Sequence, residues 1–485
     1  MLGRRSREFP SHKTEKVEFA AKATDLDALR NAVVDAAGVG YGLWFSYLFA
    51  LLYFAIAAAA VTHRDLLLES PVKPPFLNVE LPLKAFFALG PLVFLVVHAY
   101  VLLHFLLLAG KVGAFHAELQ KQIHEHDKRA QLRRQLPSNI FVQFLGGPRE
   151  VREGIVGFLL KSVAWISLVA GPIALLVLFQ LQFLPYHNPW ITWWQRIAVV
   201  LDLVLLWILW PPIARGETTL LAWRDFKRVK VAATALASFL PPLLVFTIAT
   251  FPGEWLEKEL YGTVSRVDVL RFGGGDVSGE TDWLSPHKLL VAGEVDYVTR
   301  KPNSLWSNRL VLPNFEIGDR LKFDAEGKIA LSPETLSLRG RRLEGAVLVG
   351  AHLRRADLSG TQLAGVDLSD ADLRQAKFEC AQAGNDQKCA QLHGASLDGA
   401  RLQGASLARA GLQGASLNRA VLQSASLDRV QLQGVLVTVT GLYGASLRNV
   451  FVWRAKPPAT GQMTDALIEN PNPEPKIFWA QLRAQ

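Results

Sequence analysis

Cysteine is nearly absent: Cys380 and Cys389 are the only two in 485 residues. Two thiols fall short of a structural metal site, which takes four ligands, and His393 is the one histidine near them. Charge is sparse too, at 20 % of residues, with a basic balance of +9. No serine, cysteine or histidine arrangement has the character of a covalent catalyst. Gly273-Gly274-Gly275-Asp276 lacks the Lys and Ser/Thr of a phosphate-binding loop and reads as a turn. In His124-Glu125-His126-Asp127 the two histidines would point to different faces of a helix, so the stretch reads as a solvated amphipathic helix. These absences leave no catalytic, metal or cofactor residue to name. The chain is not read as an enzyme.

What is present is uneven hydropathy: an apolar front half and a polar rear half. Five apolar runs, 41–61, 83–109, 155–184, 197–213 and 231–251, each approach the ~20 residues that cross a bilayer. Lys and Arg crowd the arm 1–40 (Arg4, Arg5, Arg7, Lys13, Lys16, Lys22, Arg30), the loop after the second run and the loop before the fifth. The other two loops hold only Arg64, Lys73 and Arg196. The basic side is cytoplasmic by this bias, and an odd span count puts the C-terminal half outside. Trp190, Trp193 and Trp194 then form an outer aromatic belt in a loop. Arg4-Arg5 is not a twin-arginine signal, because the apolar run that follows starts far downstream and is of spanning length. The helical stretch before the first run has Asp25 as a candidate cap.

Ionisable residues inside spans are costly and mark candidate sites. They are Asp202 in the fourth run, His98 and His104 in the second, and Lys161 in the third. Asp202 has no partner four residues away, so it either pairs with another span or marks a polar path. His98 reads as a hydrogen-bonding residue between helices. Lys161 can snorkel, and a contact with His104 is not supported by spacing.

The polar half is ruled by a period of five, over 336–455. Leu343, Leu348, Leu353, Leu358, Leu363, Leu368 and Leu373 recur every fifth position, followed by Phe378, and the series resumes at Leu392. A small residue, most often alanine as in Ala346, Ala351 and Ala356, stands two positions before each centre. Five is neither a helix nor a strand period, so each unit must be one side of a larger coil stacked on its copies. The pattern Ala-(Asp, Asn or Ser)-Leu-x-x resembles the pentapeptide-repeat family. That resemblance implies a right-handed quadrilateral β-helix with four pentads per turn, the leucine and the small residue inward. Residues twenty apart, such as Leu402, Leu422 and Leu442, would then share a column, and Gln403, Gln413, Gln423 and Gln433 would face water. The expected architecture is an α-helical transmembrane domain of five spans (41–251), a β-rich collar (252–335), the all-β helix (336–455) and a tail (456–485). The collar would join the membrane to the first coil and cap its open edge.

The cysteines lie in the one insertion, ECAQAGNDQKCAQ, which shifts the register. A short polar loop closed by a Cys380–Cys389 disulfide suits an oxidising compartment and agrees with the charge bias. At the far end Val435 and Thr440 relax the small-residue rule, while Leu436, Phe451 and Trp453 fall on outward positions. Either the tail, with Ile477, Phe478 and Trp479, covers them, or a second copy does, since family members pair through this end.

The apolar half, through THRDLLLESPVKPPFLNVELP, FQLQFLPYHNPWITWW and LPSNIFVQFLGGPRE, resembles bacterial inner-membrane proteins with C-terminal pentapeptide repeats. Some soluble family members mimic DNA and bind a topoisomerase. Mimicry needs an acidic surface, and this repeat carries Arg339, Arg341, Arg342, Arg354, Arg355, Arg401, Arg409, Arg419, Arg429 and Arg448, so no nucleic-acid role is expected. The expected partners are the lipid bilayer and a periplasmic protein or anionic polymer. The leading reading is a binding scaffold in the inner membrane with its repeat in the periplasm. The competing one is a transport or conducting unit lined by Asp202, His98 and Lys161.

Overall fold

The computed structural model describes residues 26–74, 79–217, 249–255, 290–291, 295–296, 299, 302–316, 336–383, 386–436, 440–451 and 467–469. Among them, four helical stretches are long and apolar enough to cross a membrane. They are α1 (Leu26–Ala59), α3 (Leu83–Gln122), the stretch Gly154–Tyr186 and α9 (Pro189–Arg215). The third consists of α7 (Gly154–Trp165), a π-helical turn (Ile166–Ala170), α8 (Gly171–Phe183) and a 3-10 turn (Leu184–Tyr186). The expected fifth run and the candidate cap Asp25 fall outside the described residues, apart from 249–251.

Three helices are longer than their apolar runs. Helix α9 begins at Pro189, so Trp190, Trp193 and Trp194 lie in its first turns and not in a loop. The Asn188-Pro189 pair, which reads as a loop, is a helix start. The Asn188 side chain accepts from the Ile191 amide at 3.2 Å, and proline at the first helical position lacks the donor that would go unpaired there.

Contacts divide the chain into two compact units. The first comprises Met1–Phe45, Val101–Trp165 and Ile208–Leu221. It holds the short helices α4 (His126–Arg134), α5 (Ile140–Gly146) and α6 (Arg149–Arg152). Asn139 caps α5 through the Phe141 amide at 2.9 Å and donates to the Ala37 carbonyl at 3.1 Å. Phe141 packs on Phe105, 4.0 Å between ring centres, and takes the edge of Trp44.

The second unit comprises Ser46–Tyr100, Ile166–Trp207 and Ala222–Gln485. Its helical part is cemented by aromatic rings: Phe87 stacks on Phe183 at 4.8 Å and Phe86 meets Phe179 at 5.3 Å. Gly90 lets that cluster form, since a Cβ there would stand 2.9 Å from the Phe179 ring. Thr62 and Asp65 form a reciprocal capping box at the start of α2 (His63–Leu68).

The repeat stacks as its period requires. Parallel bridges join residues twenty apart: Ser337 to Asp357, Arg342 to Gln362, Val347 to Asp367 and His352 to Asp372. One turn of the coil is therefore four pentads. The centre leucines are buried, Leu402, Leu422 and Leu442 at 0 %, 1 % and 3 % exposure, and so are the small residues. Every five residues a turn closes on itself, as where the Ala346 amide donates to the Leu343 carbonyl at 3.1 Å. The residue before the closing amide is left-handed: most often glycine, as at 345, 365, 394, 414 and 434, but arginine at 355, 409, 419 and 429.

The insertion does not break the ladder. Beside it Gln362 bridges Gln391 and Lys377 bridges Ser406, so the extra residues leave the wall of the coil. They form an antiparallel hairpin of β1 (Cys380–Ala383) and β2 (Asp386–Cys389), with Cys380 opposite Cys389 and the two disulfide-bonded.

Both ends of the ladder are covered by other segments. At the first coil, Leu312 and Asn314 donate to the carbonyls of Val347 and Val349 at 2.9 and 2.7 Å, and Val347 donates back to Leu310. The described part of the collar supplies one bridge to the coil, Val311 to Val347; most of 252–335, where short strands are expected, lies outside the described residues. At the last coil β3 (Ser446–Arg448) pairs in parallel with β4 (Leu467–Glu469) from the tail. Leu436 is half-buried and bridges Ser416, as other residues at its pentad position do. Phe451 is 43 % exposed, and Trp453, Ile477, Phe478 and Trp479 lie outside the described residues.

Leu402→Ala should lower stability by about 2–5 kcal/mol, since the closed coil cannot collapse onto the void. Arg419→Gly should raise it by up to about 1 kcal/mol by relieving a left-handed non-glycine residue. Denaturant unfolding of the purified protein measures both.

Candidate functional site

Two buried polar clusters stand out, both within the second unit. The first joins the helix ends to the first coil. His187 follows the 3-10 turn in a left-handed conformation, φ 59°. Its Nε2 donates to the Asn308 carbonyl at 2.8 Å, and Nδ1 lies 3.2 Å from Glu344 of the repeat. Glu344 also accepts from Arg342 Nε at 3.0 Å. The Phe251 ring stacks against His187 at 5.1 Å and carries the Arg342 guanidinium at 5.4 Å. Arg196 is fully buried; it pairs with both oxygens of Glu254, donates to the Ala249 carbonyl at 2.7 Å and stacks over Trp193. The Asn308 amide donates to the Thr250 carbonyl at 2.9 Å.

Beside this cluster, Arg341 closes the end of α2. It donates to the Leu66 and Leu67 carbonyls at 3.0 and 3.2 Å and pairs with Glu69 at 2.9 Å. A cation at a helix C-terminus meets both the dipole and the unpaired carbonyls. Its guanidinium sits 4.4 Å from the centre of the Tyr186 ring. His63, at the start of α2, accepts from the Val311 amide at 3.0 Å.

The electrostatics follow. Burial pushes the Glu344 carboxyl up, but hydrogen bonding and charge from His187 and the Arg342 charge outweigh it, and the group sits below its ordinary range. Burial also pushes Glu69 up, and Tyr186, Lys84 and Arg341 together pull it below normal. Burial holds His63 below the usual imidazole range, against a smaller upward pull from its bond to Val311. A neutral ring is what an acceptor at Nδ1 requires.

The second cluster lies inside the helices. His98 and Asp202 are both fully buried and pair at 2.6 Å between α3 and α9. The other ring nitrogen donates to the Leu168 carbonyl at 3.1 Å, within the π-helical turn, where the widened ladder frees a carbonyl. Tyr47 stacks on His98 at 5.8 Å and donates to the Ser167 carbonyl at 3.0 Å. The second oxygen of Asp202 has no hydrogen-bond partner among the described residues. The structure does not join the other two candidates to this pair. His104 lies beside Gly40 of α1 in the first unit, and Lys161 is exposed on α7.

The family model described as pentapeptide repeats matches residues 338–379, 388–423 and 401–438. The segments so matched carry pentapeptide repeats. The matched segments stop at 379 and resume at 388, bracketing the cysteine hairpin. Similar solved structures include a pentapeptide-repeat protein from the Arabidopsis thaliana thylakoid lumen, at 26 % identity over 30 % of this chain and 77 % of that one, TM-score 0.16. HetL of Nostoc, described as involved in heterocyst differentiation regulation, is 28 % identical over 27 % of this chain and 62 % of its own, TM-score 0.11. Rfr23 of Cyanothece is 25 % identical over 26 % and 65 %, TM-score 0.14. No curated protein matches the chain.

The pentapeptide-repeat pattern made its own leucines legible but not what holds the first coil in place. Arg196 counts as a sparse loop charge in the sequence and is a buried ion-pair member in the structure. The pairings of His187 with Glu344 and of Arg196 with Glu254 carry no local signal, because they span 157 and 58 positions.

Arg196→Ala should cost about 3–5 kcal/mol in an unfolding titration, because it strands the Glu254 carboxylate in the interior. Acid should act in two stages. His63 has its folded value below its unfolded one, so stability is full above the ordinary imidazole range and falls as pH drops through it. The contributions of Glu69 and Glu344 are present above the ordinary carboxylate range and are lost as pH falls through their depressed folded values. Hydrogen exchange at the Val311 amide should rise in the first stage, and exchange across 342–347 only in the second.

Proposed function

We propose that this protein is a membrane-anchored scaffold that holds a stiff pentapeptide-repeat surface at a fixed place on its helices. The observation that carries the reading is the buried His187–Glu344–Arg342 cluster, which binds the first coil to the helix ends. A freely tethered module would need no such buried charge. The proposal takes the coil as a right-handed quadrilateral β-helix and the anchor as five spans in a bacterial inner membrane. It places the N-terminus in the cytoplasm and the repeat in the periplasm. The Cys380–Cys389 bond supports that side, since such a bond persists in oxidising compartments. The partner is an envelope protein or an anionic polymer, met by outward arginines such as Arg401 and Arg409, and a second copy at the Phe451 end is part of the same proposal. No catalytic step is involved.

A second reading has one specific observation behind it. Among the described residues the second carboxylate oxygen of Asp202 has no hydrogen-bond partner, as a proton or ion path would need. On that reading the helices conduct and the repeat docks or gates.

Intact cells treated with a membrane-impermeant thiol reagent, after mild reduction, should label Cys380 and Cys389. Labelling only after lysis would put the repeat in the cytoplasm and overturn the proposed side. Affinity capture from envelopes with the full-length protein should recover a partner that Arg401→Glu with Arg409→Glu loses. Liposome flux that is above background and abolished by Asp202→Asn would favour conduction instead.

A further inference from the structure

A cleft of about 850 Å³ opens in the second unit, beside α2 and the first coil. Three candidate spans have an end at it: α3 begins at Leu83, the third span ends at Tyr186, and α9 begins at Pro189. Its lining is cationic, with Lys84, Arg339, Arg341 and Arg342 against the single carboxylate of Glu69. That carboxylate is committed. It takes Tyr186 Oη at 2.6 Å, Lys84 at 3.0 Å and Arg341 at 2.9 Å. Arg342 is held by Glu344. The cations with donors to spare are Lys84, whose side chain is 50 % exposed, and Arg339, 55 % exposed and only 3.5 Å from Asp357 at its nearest.

The cleft also has an apolar side. Trp190 lines it at 87 % exposure, in the first turn of α9. Farther along α3 Leu89, Leu92 and Val93 are exposed, Leu92 within a quarter turn of the Lys84 face and the other two farther round the helix. Cations and an indole at the end of an apolar helix face are what a lipid meets: phosphate at the headgroup level and acyl chain below. A free phosphate would fill a small part of this volume and leave the Trp190 ring unused.

We propose that the cleft binds the phosphate of an anionic phospholipid, with Lys84 and Arg339 as the headgroup contacts and Trp190 against the glycerol and upper acyl region. The proposal rests on α3 and α9 crossing a bilayer and is independent of any partner of the repeat.

The test uses the full chain in nanodiscs of phosphatidylcholine doped with phosphatidylglycerol, and native mass spectrometry of the lipid that stays bound after release. Wild type should retain phosphatidylglycerol over phosphatidylcholine. Lys84→Gln and Arg339→Gln should each lower that retention about fivefold, the effect of one lost cation near a membrane surface. Arg429→Gln, an exposed arginine on a later coil, should leave it unchanged. An intact Cys380–Cys389 bond and an unaltered circular dichroism spectrum establish folding of each variant. Equal retention of the two lipids by wild type would overturn the proposal. So would equal loss in Arg339→Gln and Arg429→Gln. A last arm titrates inorganic phosphate into pure phosphatidylcholine discs: Arg339-dependent binding there would assign the site to a soluble anion and overturn the lipid.

Discussion

A charge taken out of water has to meet its opposite, and this requirement organises the second unit. Arg196, fully buried, can exist there only because Glu254 and the Ala249 carbonyl receive its donors. That pairing ties the chain at 249–254 to α9. The same stretch supplies Phe251, which lies against His187 and Arg342, and Thr250, which accepts from Asn308. His187 in turn reaches Glu344 on the first coil. Each link would be costly to leave open, so the set closes together. Arg341 on the carbonyls at the end of α2 adds a second attachment by the same logic.

The repeat obeys a different constraint, that of the exposed edge. Each coil bonds to both neighbours: Gln362 donates to Arg341 and accepts from Leu343 of the coil before, while Leu363 donates to Gln391 of the coil after, which donates back to Thr361. Such a stack has two open ends, and each would recruit another strand. The first is covered by Leu310–Phe315 and the second by β4 from the tail. The cysteine hairpin shows how little the ladder depends on chain continuity. Bridges resume beyond it in the same four columns.

Much of the repeat was legible because its signal is local. A leucine every fifth residue names the buried positions, and the structure buries Leu343 through Leu447 accordingly. The insertion was legible as a phase shift, and its cysteines as a pair. Helix starts were less so: Asn188-Pro189 reads as a loop until the Ile191 amide is seen to bond back to Asn188. The junction was illegible for a physical reason. Buried ion pairs leave no periodicity, and either half alone looks like an ordinary surface charge, as Arg196 did. Asp202 was an intermediate case. Its cost inside a span marked it, but nothing in the sequence chose His98 over other polar residues as its partner.

The central claim is that the first coil is held to the helix ends by mutually dependent buried charges. A double-mutant cycle on His187→Ala and Glu344→Ala, read by denaturant unfolding of the protein in detergent, tests it most directly. The two sites should show a coupling of at least about 1 kcal/mol, as groups sharing a buried network do. Effects that simply add would mean that the two side chains do not depend on each other, and would contradict the account.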